Sequence, residues 1–573
     1  MKRLFTLLIV VGCAMFVASC SNSVADDQTF EKIAADFIEK YLEMNPEAAT
    51  ALGDHRWDHR MDDYSLAGVK ANLAFNKATL DVLEEIDPAR LGEINRVDYH
   101  ILRNQVEETI FRLETLREYE WNPLVYNVGG AIYNLLVRDF APLKDRLRSV
   151  EQRLRQLPGV TALAKANLKN PPRVHVETAI RQNKGTIGLI QDGLQAFVDE
   201  VPELSDELRP VRQKAVAALE YYGNWLERDL LPTADGEFRL GEDKFRRKLH
   251  YVLESDLTME DILGQAEKAL SATQEEMYRT ALPLYRQAAG SGDSPDRKLV
   301  IKTVLDRLAE THPSNETIVG KASECLDECT RFVSERNLVT VPDEPINLIV
   351  MPEFQRGVAV AYCDAPGPLE PQGKTFYAIS PTPEDWDEAR VTSFFREYND
   401  YMLHDLTIHE AVPGHYLQLA HSNRFKAPTM IRSIFYSGPF VEGWATYAEQ
   451  LMAEKGYGGP EVKMQQLKMR LRLIINAIID QKIHTAGMTE QEAIDLMIGE
   501  GFQEEGEAAG KWRRACLTST QLSTYFVGNI EVNAIRDAYE EKQGENTDMK
   551  TMHDRMLSFG SPPAKYVKEL MGL

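Results

Sequence analysis

Hydrophobic residues recur at intervals of three and four along most of the chain, a pattern typical of amphipathic helices. Glycine and proline clusters such as Asn170-Pro171-Pro172 and Asp235-Gly236 interrupt the pattern and predict turns. The helices predicted in this way span Phe30–Leu42, Leu66–Glu85, Leu91–Arg117, Leu143–Leu157, Val176–Val201, Ser205–Leu231, Met259–Ala288, Lys298–Glu310 and Asn315–Asn337. The helical period resumes near Pro383 and continues to the C-terminus, so the chain is expected to be mainly α.

One stretch after residue 345 departs from this period. Short β-branched and aromatic runs there, bounded by glycine and proline, predict three strands: Ile346–Val350, Gly357–Tyr362 and Thr375–Ile379. We therefore predict a large multi-helix fold that encloses a cleft and carries one small β-sheet. Residues 28–573 are expected to form one helical domain, and any division into two lobes is expected near 290–345.

The N-terminus has the features of a bacterial export signal. Lys2 and Arg3 precede the apolar run Leu4–Val17, which is too short to span a membrane comfortably. Cys20 follows small residues, as in a lipoprotein signal, which predicts a signal peptide over 1–19, a lipidated Cys20 and a tether over 20–27. An ordinary cleaved signal is the alternative. On the first interpretation the protein faces the periplasm from the cell envelope and contacts the membrane only through its lipid anchor.

The charge of the chain limits its partners. The sequence has 88 acidic and 65 basic residues and a formal net charge of -23. Residues 1–19 carry two positive charges and no negative one, so removing them gives a net charge of -25. Such a chain lacks the basic face that phosphate binding needs, and nucleic acid is not an expected partner.

Cys325 and Cys329 lie four residues apart in a predicted helix. They could pair in an oxidising periplasm, although helix geometry makes such a bridge awkward. Two ordinary thiols are the equal alternative, and the spacing does not resemble a zinc ribbon.

The segment from His409 to His415 has the composition of a metal site. Catalytic zinc takes three nitrogen or oxygen ligands, and a glutamate adjacent in sequence, here Glu410, can take a proton from water. The two histidines lie six residues apart, which on a regular helix leaves them about 120° apart around the axis. Pro413 cannot continue a regular helix and Gly414 tolerates unusual backbone angles. We therefore predict a kink or bulge that turns His415 back toward His409.

A third ligand is expected from a neighbouring helix. Glu442 lies twenty-seven residues after His415, which is enough for a helix end, a loop and the start of a packed helix. Glu449 is seven residues further on, on nearly the same face, and could accept a hydrogen bond from a ligand histidine. Asp405, one turn before His409, is a second candidate for that supporting role.

Two blocks of sequence, His409-Glu-Ala-Val-Pro-Gly-His-Tyr-Leu-Gln418 and Glu442-Gly-Trp-Ala-Thr-Tyr-Ala-Glu449, resemble the bacterial family catalogued as domain of unknown function 885. Supporting matches near both ends extend the resemblance over nearly the whole mature chain. The family is similar in layout to helical zinc metallopeptidases of the gluzincin type. The resemblance implies one zinc ion held by His409, His415 and Glu442, with Glu410 as the general base.

Other candidate residues concern the substrate. Helical metallopeptidases commonly stabilise the reaction's oxyanion with a tyrosine and a histidine from C-terminal segments, which makes Tyr525 and His553 the candidates. The strand that ends at Tyr362 could hold a peptide backbone by edge pairing, and Arg513 and Arg514 could bind a terminal carboxylate. A core tyrosine, a helix-terminal histidine and a solvated basic pair are the alternatives.

The leading hypothesis is zinc-dependent hydrolysis of short peptides at the cell envelope. One alternative is a non-catalytic envelope lipoprotein that binds a peptide or a partner in the same groove. Another keeps the metal and changes the bond, as in an amidase that acts on cell-wall peptides or another small amide.

Overall fold

Helices account for most of the chain, as the hydrophobic period predicts. The structure is a computed structural model and describes residues 25–289, 296–351, 360–370, 373–383, 386–544 and 547–573. The predicted signal peptide, Cys20 and the start of the tether lie outside the described residues. No helix in the described part of the chain combines the length and the apolar character needed to cross a membrane.

The elements up to the sheet are α1 (25–44), α2 (Pro46–Leu52), α3 (Leu66–Glu84), α4 (Glu93–Phe111), α5 (Glu118–Trp121), α6 (Gly129–Val137), α7 (Leu143–Asn167), α8 (Arg173–Gly188), α9 (Leu194–Asp199), α10 (Ser205–Trp225), α11 (Glu242–Leu253), α12 (Met259–Ala289), α13 (Arg297–Leu308), α14 (Ile318–Glu335), β1 (Ile346–Val350), β2 (Ala361–Asp364) and β3 (Thr375–Ile379). The elements after it are α15 (Glu388–Glu397), α16 (Asp400–Glu410), α17 (His415–Arg424), α18 (Ile431–Ile434), α19 (Gly438–Glu454), α20 (Gly459–Ala486), α21 (Glu490–Gly499), α22 (Glu505–Thr518), α23 (Ser523–Gln543), α24 (Met549–Leu557) and α25 (Ala564–Leu570).

Most predicted helices are confirmed with small shifts at their ends. The helix predicted to run from Val176 to Val201 is two helices, α8 and α9, because a wider π turn at Leu189–Gly193 interrupts it. A similar turn at Arg112–Leu116 ends the helix predicted to reach Arg117. Hydrophobic spacing does not report such turns, since the buried face continues through them.

The small sheet has the strand order β1-β3-β2. Strands β1 and β3 match their predicted bounds and pair in parallel, whereas β2 pairs antiparallel with β3 and leaves one edge unpaired. Strand β2 begins at Ala361, and residues 357–359 of its predicted range lie outside the described residues. The sheet therefore presents β2 as an edge strand.

Helices α19 and α23 approach each other backbone to backbone. A Cβ atom added at Gly443 would lie 2.3 Å from the carbonyl carbon of Gly528, and one added at Gly528 would lie 1.9 Å from the carbonyl oxygen of Pro439. Neither contact is sterically possible, so both positions require glycine. The crossing brings the start of α19, with Glu442, beside the start of α23.

The two cysteines of α14, Cys325 and Cys329, are free and buried. Cys329 Sγ lies 3.2 Å from the Tyr457 hydroxyl, to which its thiol donates. Cys325 and Cys329 therefore form no disulfide with each other, and both are thiols of the hydrophobic core.

A fully buried ion pair joins α4 to the short helix α18. Arg432 and Asp98 both have side chains with no exposed surface, and the guanidinium also donates to the Ile94 carbonyl, 2.7 Å away. The Thr429 hydroxyl donates to the second carboxylate oxygen of Asp98. Each charge in this pair is stabilised by the other, because no solvent reaches either group.

We expect Asp98→Ala to lower the free energy of unfolding by about 3–5 kcal/mol, because it leaves the Arg432 charge buried and unpaired. Lys302→Ala, which breaks the exposed Lys302–Asp306 pair, should cost less than about 1 kcal/mol. Urea unfolding followed by circular dichroism compares the two variants. Equal losses of stability would contradict the role assigned to the buried pair.

Candidate metal centre

The helix is interrupted between the two histidines of the predicted motif. Helix α16 ends at Glu410, so His409 and Glu410 lie in its last turn, and α17 begins at His415. Ala411 leaves the helix with φ -121° and ψ -92°, and the Val412–Pro413 peptide bond is cis. The predicted distortion is confirmed, and it is a complete turn between two helices rather than a kink within one.

Position 414 in this turn accepts only glycine. A Cβ atom there would lie 2.0 Å from the His409 carbonyl oxygen and 2.3 Å from that of Ile408. The Gly414 N–H donates to the Ile408 carbonyl over 2.9 Å, and the indole N–H of Trp444 donates to the Pro413 carbonyl over 2.8 Å. These contacts fix where α17 begins and hence where the His415 ring lies.

Three side chains converge at this turn: His409, His415 and Glu442. The Nε2 atoms of both histidines lie 3.5 Å from Glu442 Oε2, and the three ligand atoms lie within 4.8 Å of one another. Ligands bound tetrahedrally to zinc at about 2.0–2.1 Å lie roughly 3.4 Å apart, so the spacing fits one ion. Glu442 Oε2 is buried and accepts no hydrogen bond from a described residue, as expected of an oxygen reserved for a cation.

The electrostatics of the triad favour a bound cation. Burial disfavours the Glu442 carboxylate, but the two imidazoles outweigh burial and hold its pKa well below the usual range. Burial likewise would lower the pKa of His409, but Glu442 and Glu449 outweigh it and raise that pKa well above the usual range. The site therefore balances its carboxylates with protons on imidazole or with a metal ion, and metal binding releases those protons.

Behind the triad, Glu449 contacts His409 as predicted, whereas Asp405 acts on Glu449 and makes no hydrogen bond to a described histidine. His409 Nδ1 lies 2.6 Å from Glu449 Oε1, which orients Nε2 toward Glu442. Asp405 is buried against Glu449, and burial first, then the Glu449 charge, raises the pKa of Asp405 well above its usual range. A proton on Asp405 can thus be donated toward Glu449, leaving Glu449 charged toward His409.

Glu410 faces the large cleft and not the side of the triad where Glu449 and Asp405 lie. It lines a cavity of about 1920 Å³ together with His409, Tyr525 and Ala361. Its Oε2 accepts a hydrogen bond of 3.1 Å from the backbone N–H of Cys363 on strand β2. Its other carboxylate oxygen accepts no hydrogen bond from the described part of the chain and is available to a water molecule or substrate.

Tyr525 and Arg514 were predicted separately and lie together. Arg514 Nη2 donates to the Tyr525 hydroxyl over 2.9 Å, and both residues line the cleft. Burial and the negative charge of Glu442 raise the pKa of Tyr525, which places its hydroxyl within electrostatic reach of the triad. Asp480, which the sequence did not single out, fixes the start of α23 by accepting hydrogen bonds from the backbone of Thr520 and Ser523.

His553 is not at the cleft, and its predicted role at the oxyanion is wrong. The residue has no exposed surface, and its ring nitrogens contact the Tyr447 hydroxyl at 2.8 Å and the Leu338 carbonyl at 2.7 Å. Burial lowers the pKa of His553 to about 4, so it is neutral. It packs against Trp444, with ring centroids 5.5 Å apart, and thereby supports the turn that Trp444 holds.

Strand β2 brings its outer edge to the cleft. Cys363 donates away from β3 to Glu410, so Ala361, two residues earlier, has its backbone groups on the same outer side. Ala361 lines the cleft. Tyr362 interacts with Tyr133, a cleft-lining residue, and its role in binding substrate stays a prediction.

Comparison with known proteins identifies the family of the chain. The family described as bacterial protein of unknown function (DUF885) matches residues 46–571, and the chain therefore belongs to it. The structure is similar, with a TM-score of 0.81, to a solved candidate lipoprotein of unknown function from Shewanella oneidensis; the two are 33% identical over 95% of this chain and 100% of that one.

A second solved candidate lipoprotein, from Colwellia psychrerythraea, is 16% identical over 96% of this chain and 98% of its own, with a TM-score of 0.78. At that identity the likeness shows the fold alone. No curated protein matches the chain.

We expect Gly414→Ala to destabilise the protein by about 3 kcal/mol or more, because the added methyl group must displace the backbone of α16. Gly264→Ala, in the interior of α12 where the added Cβ meets nothing within 4 Å, should instead stabilise by up to about 1 kcal/mol. Urea unfolding of both variants tests the difference. A Gly414→Ala protein as stable as wild type would show that the turn has room for a side chain.

Proposed function

We propose that this protein is a zinc-dependent peptidase that cleaves short peptides at the cell envelope. The observation that carries the proposal is the convergence of His409, His415 and Glu442, with Glu410 adjacent to the triad and open to the cleft. The donor set of two imidazoles and one carboxylate is that of catalytic rather than structural zinc. When bound, the ion supplies Lewis-acid chemistry, polarising a scissile carbonyl and activating water.

The remaining steps fall to the chain's own residues. Glu410 accepts a proton from the attacking water and delivers it to the leaving amine, and its hydrogen bond from Cys363 keeps the carboxylate oriented for both transfers. Tyr525 donates its hydroxyl to the developing oxyanion, and Arg514 favours that donation by placing a positive charge beside the phenol. The outer edge of β2 holds the substrate backbone through Ala361.

The cleft and the relatives support the substrate class and the location. A cavity of about 1920 Å³ enclosed by helices and one edge strand accommodates a peptide in extended form better than a folded protein. The two similar solved structures are candidate lipoproteins, in keeping with a lipid anchor at Cys20 and a position at the cell envelope.

We expect Glu410→Gln to reduce peptide cleavage by about 100-fold or more while zinc content is unchanged, because the amide cannot take up a proton and is not a ligand. Zinc is quantified by elemental analysis, and cleavage of a peptide library is followed by mass spectrometry. Glu388→Gln, an exposed change in α15, is the matched control and should leave cleavage at the wild-type rate.

The outcomes separate the competing functions. A zinc-loaded wild type that binds peptides and cleaves none would indicate a binding lipoprotein, and release of only non-peptide amides would indicate an amidase. Undiminished turnover by zinc-loaded Glu410→Gln would refute the role of Glu410 itself.

We expect Glu449→Gln to weaken zinc binding roughly 10- to 100-fold, because it removes the charge that orients His409 and raises its basicity. Glu454→Gln lies five residues further along the same helix, pairs with Arg536 near the surface and should leave zinc affinity unchanged. Competition with a chromophoric chelator measures both affinities. Equal affinities in the two variants would show that Glu449 has no influence on the metal.

A further inference from the structure

A group of cations is buried in the wall of the cleft. Arg472 of α20 and Lys511 of α22 line the cavity, although only 6% and 9% of their surfaces are exposed. Removing a cation from water costs several kcal/mol unless a charged partner replaces the solvent. The partners of these two side chains therefore show whether the protein itself completes their charge balance.

The partners within the protein are too few. Glu397 is shared by Arg472 and by Lys468, whose Nζ lies 2.7 Å from Glu397 Oε2. Glu507 Oε1 lies 3.7 Å from both Arg472 Nη1 and Lys511 Nζ, which is beyond hydrogen-bond distance. Arg472 Nε is buried without an acceptor, and Lys511 Nζ comes no closer than 3.7 Å to Glu507, its ion-pair partner. The wall of the cleft thus holds cationic donors that the protein does not fully satisfy.

Arg514 adds a further positive charge on the same side. It lies three residues after Lys511 on α22 and donates to two neutral groups, the Gln521 side-chain oxygen at 2.8 Å and the Tyr525 hydroxyl at 2.9 Å. No described carboxylate forms an ion pair with it. Four cations, Lys468, Arg472, Lys511 and Arg514, act on Glu507. The ion pairs that they form within the described part of the chain involve only two carboxylates, Glu397 and Glu507.

We propose that Arg472, Lys511 and Arg514 form a subsite, here called the cationic subsite, that binds the free α-carboxylate at the C-terminus of a short peptide. The proposal rests on the proposed function and refines it, because it makes the enzyme an exopeptidase that reads the C-terminal end. A carboxylate offers two oxygens to the convergent N–H donors and supplies the missing negative charge.

The cationic subsite and the candidate metal centre share one cavity. Arg472, Lys511 and Arg514 line it together with His409 and Glu410, and Arg514 contacts Tyr525. A peptide held here by its C-terminus would therefore extend along this cavity toward the candidate metal centre.

The pKa of Lys511 is that of a buried amine without a sufficient counter-ion. Burial first, and then the charges of Arg472 and Arg514, lower the pKa of Lys511 to about 8, even though Glu507 acts in the opposite direction. A bound carboxylate would offset that repulsion.

The carboxylate could also come from an aspartate or glutamate side chain of the substrate, and the experiment separates the two sources. Three short-peptide libraries are compared with zinc-loaded wild type: one with free C-termini, the same library amidated, and an amidated library that contains one glutamate. Cleavage products are identified by mass spectrometry. Binding of each library to the Glu410→Gln protein is measured as well, so that the test does not depend on turnover.

We expect C-terminal amidation to reduce kcat/KM and binding by about 10- to 100-fold, the effect of losing charge-assisted hydrogen bonds, and the products to be shortened from the C-terminus. Lys511→Met should reduce this preference to within about threefold of unity. Lys482→Met makes the same change at a partly exposed lysine of α20 that pairs with Glu267 and does not line the cleft, and it should retain the full preference.

Equal use of free and amidated peptides, or internal cleavage of both, would overturn the proposal and leave the peptidase function intact. Rescue of the amidated library by glutamate would assign the subsite to acidic side chains and would overturn the C-terminal assignment. Cleavage of none of the libraries would refute the proposed function, and the binding preference of the Glu410→Gln protein would still decide for or against the cationic subsite.

Discussion

The candidate site depends on one steric constraint, the absence of a side chain at position 414. The backbone between Glu410 and His415 has to leave one helix and enter another, and the carbonyl groups of Ile408 and His409 occupy the space of a Cβ at Gly414. Only with this close approach does the second helix start where the His415 ring meets His409. The unusual six-residue interval is therefore a property of the turn, and a regular helix with the same residues would hold no metal.

A second constraint, close backbone packing, joins this turn to the other elements. The contact between Gly443 and Gly528 lets α19 and α23 cross without side chains between them, which brings Glu442 close enough for its charge to act on Tyr525, a residue that lines the cleft. Trp444, the next residue of α19, holds the turn through the Pro413 carbonyl. Because Glu442, Gly443 and Trp444 are consecutive, one helical turn supplies a ligand, a close helix contact and the support of the other two ligands.

The sequence predicts the parts of this arrangement that are encoded locally. Strands β1 and β3 and most helices follow from the hydrophobic period and the turn residues, and the convergence of His409, His415 and Glu442 follows from the motif, with Pro413 and Gly414 predicting the break. The Cys363–Glu410 hydrogen bond could not be predicted, because a backbone N–H has no sequence signature. His553 was misassigned because nothing in its local sequence reveals that Tyr447 and Leu338 enclose it. The grouping of Arg472 with Lys511 was also missed, since only tertiary packing brings α20 beside α22.

The carboxylates of the candidate metal centre and the cations of the cationic subsite lie at one cleft. This arrangement explains how an acidic protein could receive an anionic ligand. At physiological ionic strength charges separated by more than about 8 Å in solvent are largely screened, so the net charge of -23 acts weakly on a ligand already within the cleft. The charged groups that line the cleft are less screened, and they dominate the electrostatic potential that the ligand experiences. His409 and His415 form ion pairs with Glu442, and Asp405 together with Glu449 can retain a proton. The carboxylates at the candidate metal centre therefore carry less net negative charge than their number suggests. The four cations around Glu507 share only two ion-pair partners in the described part of the chain, Glu397 and Glu507. For the proposed peptide substrate, the local field would therefore favour the carboxylate at α22 and the uncharged amide bond at the candidate metal centre.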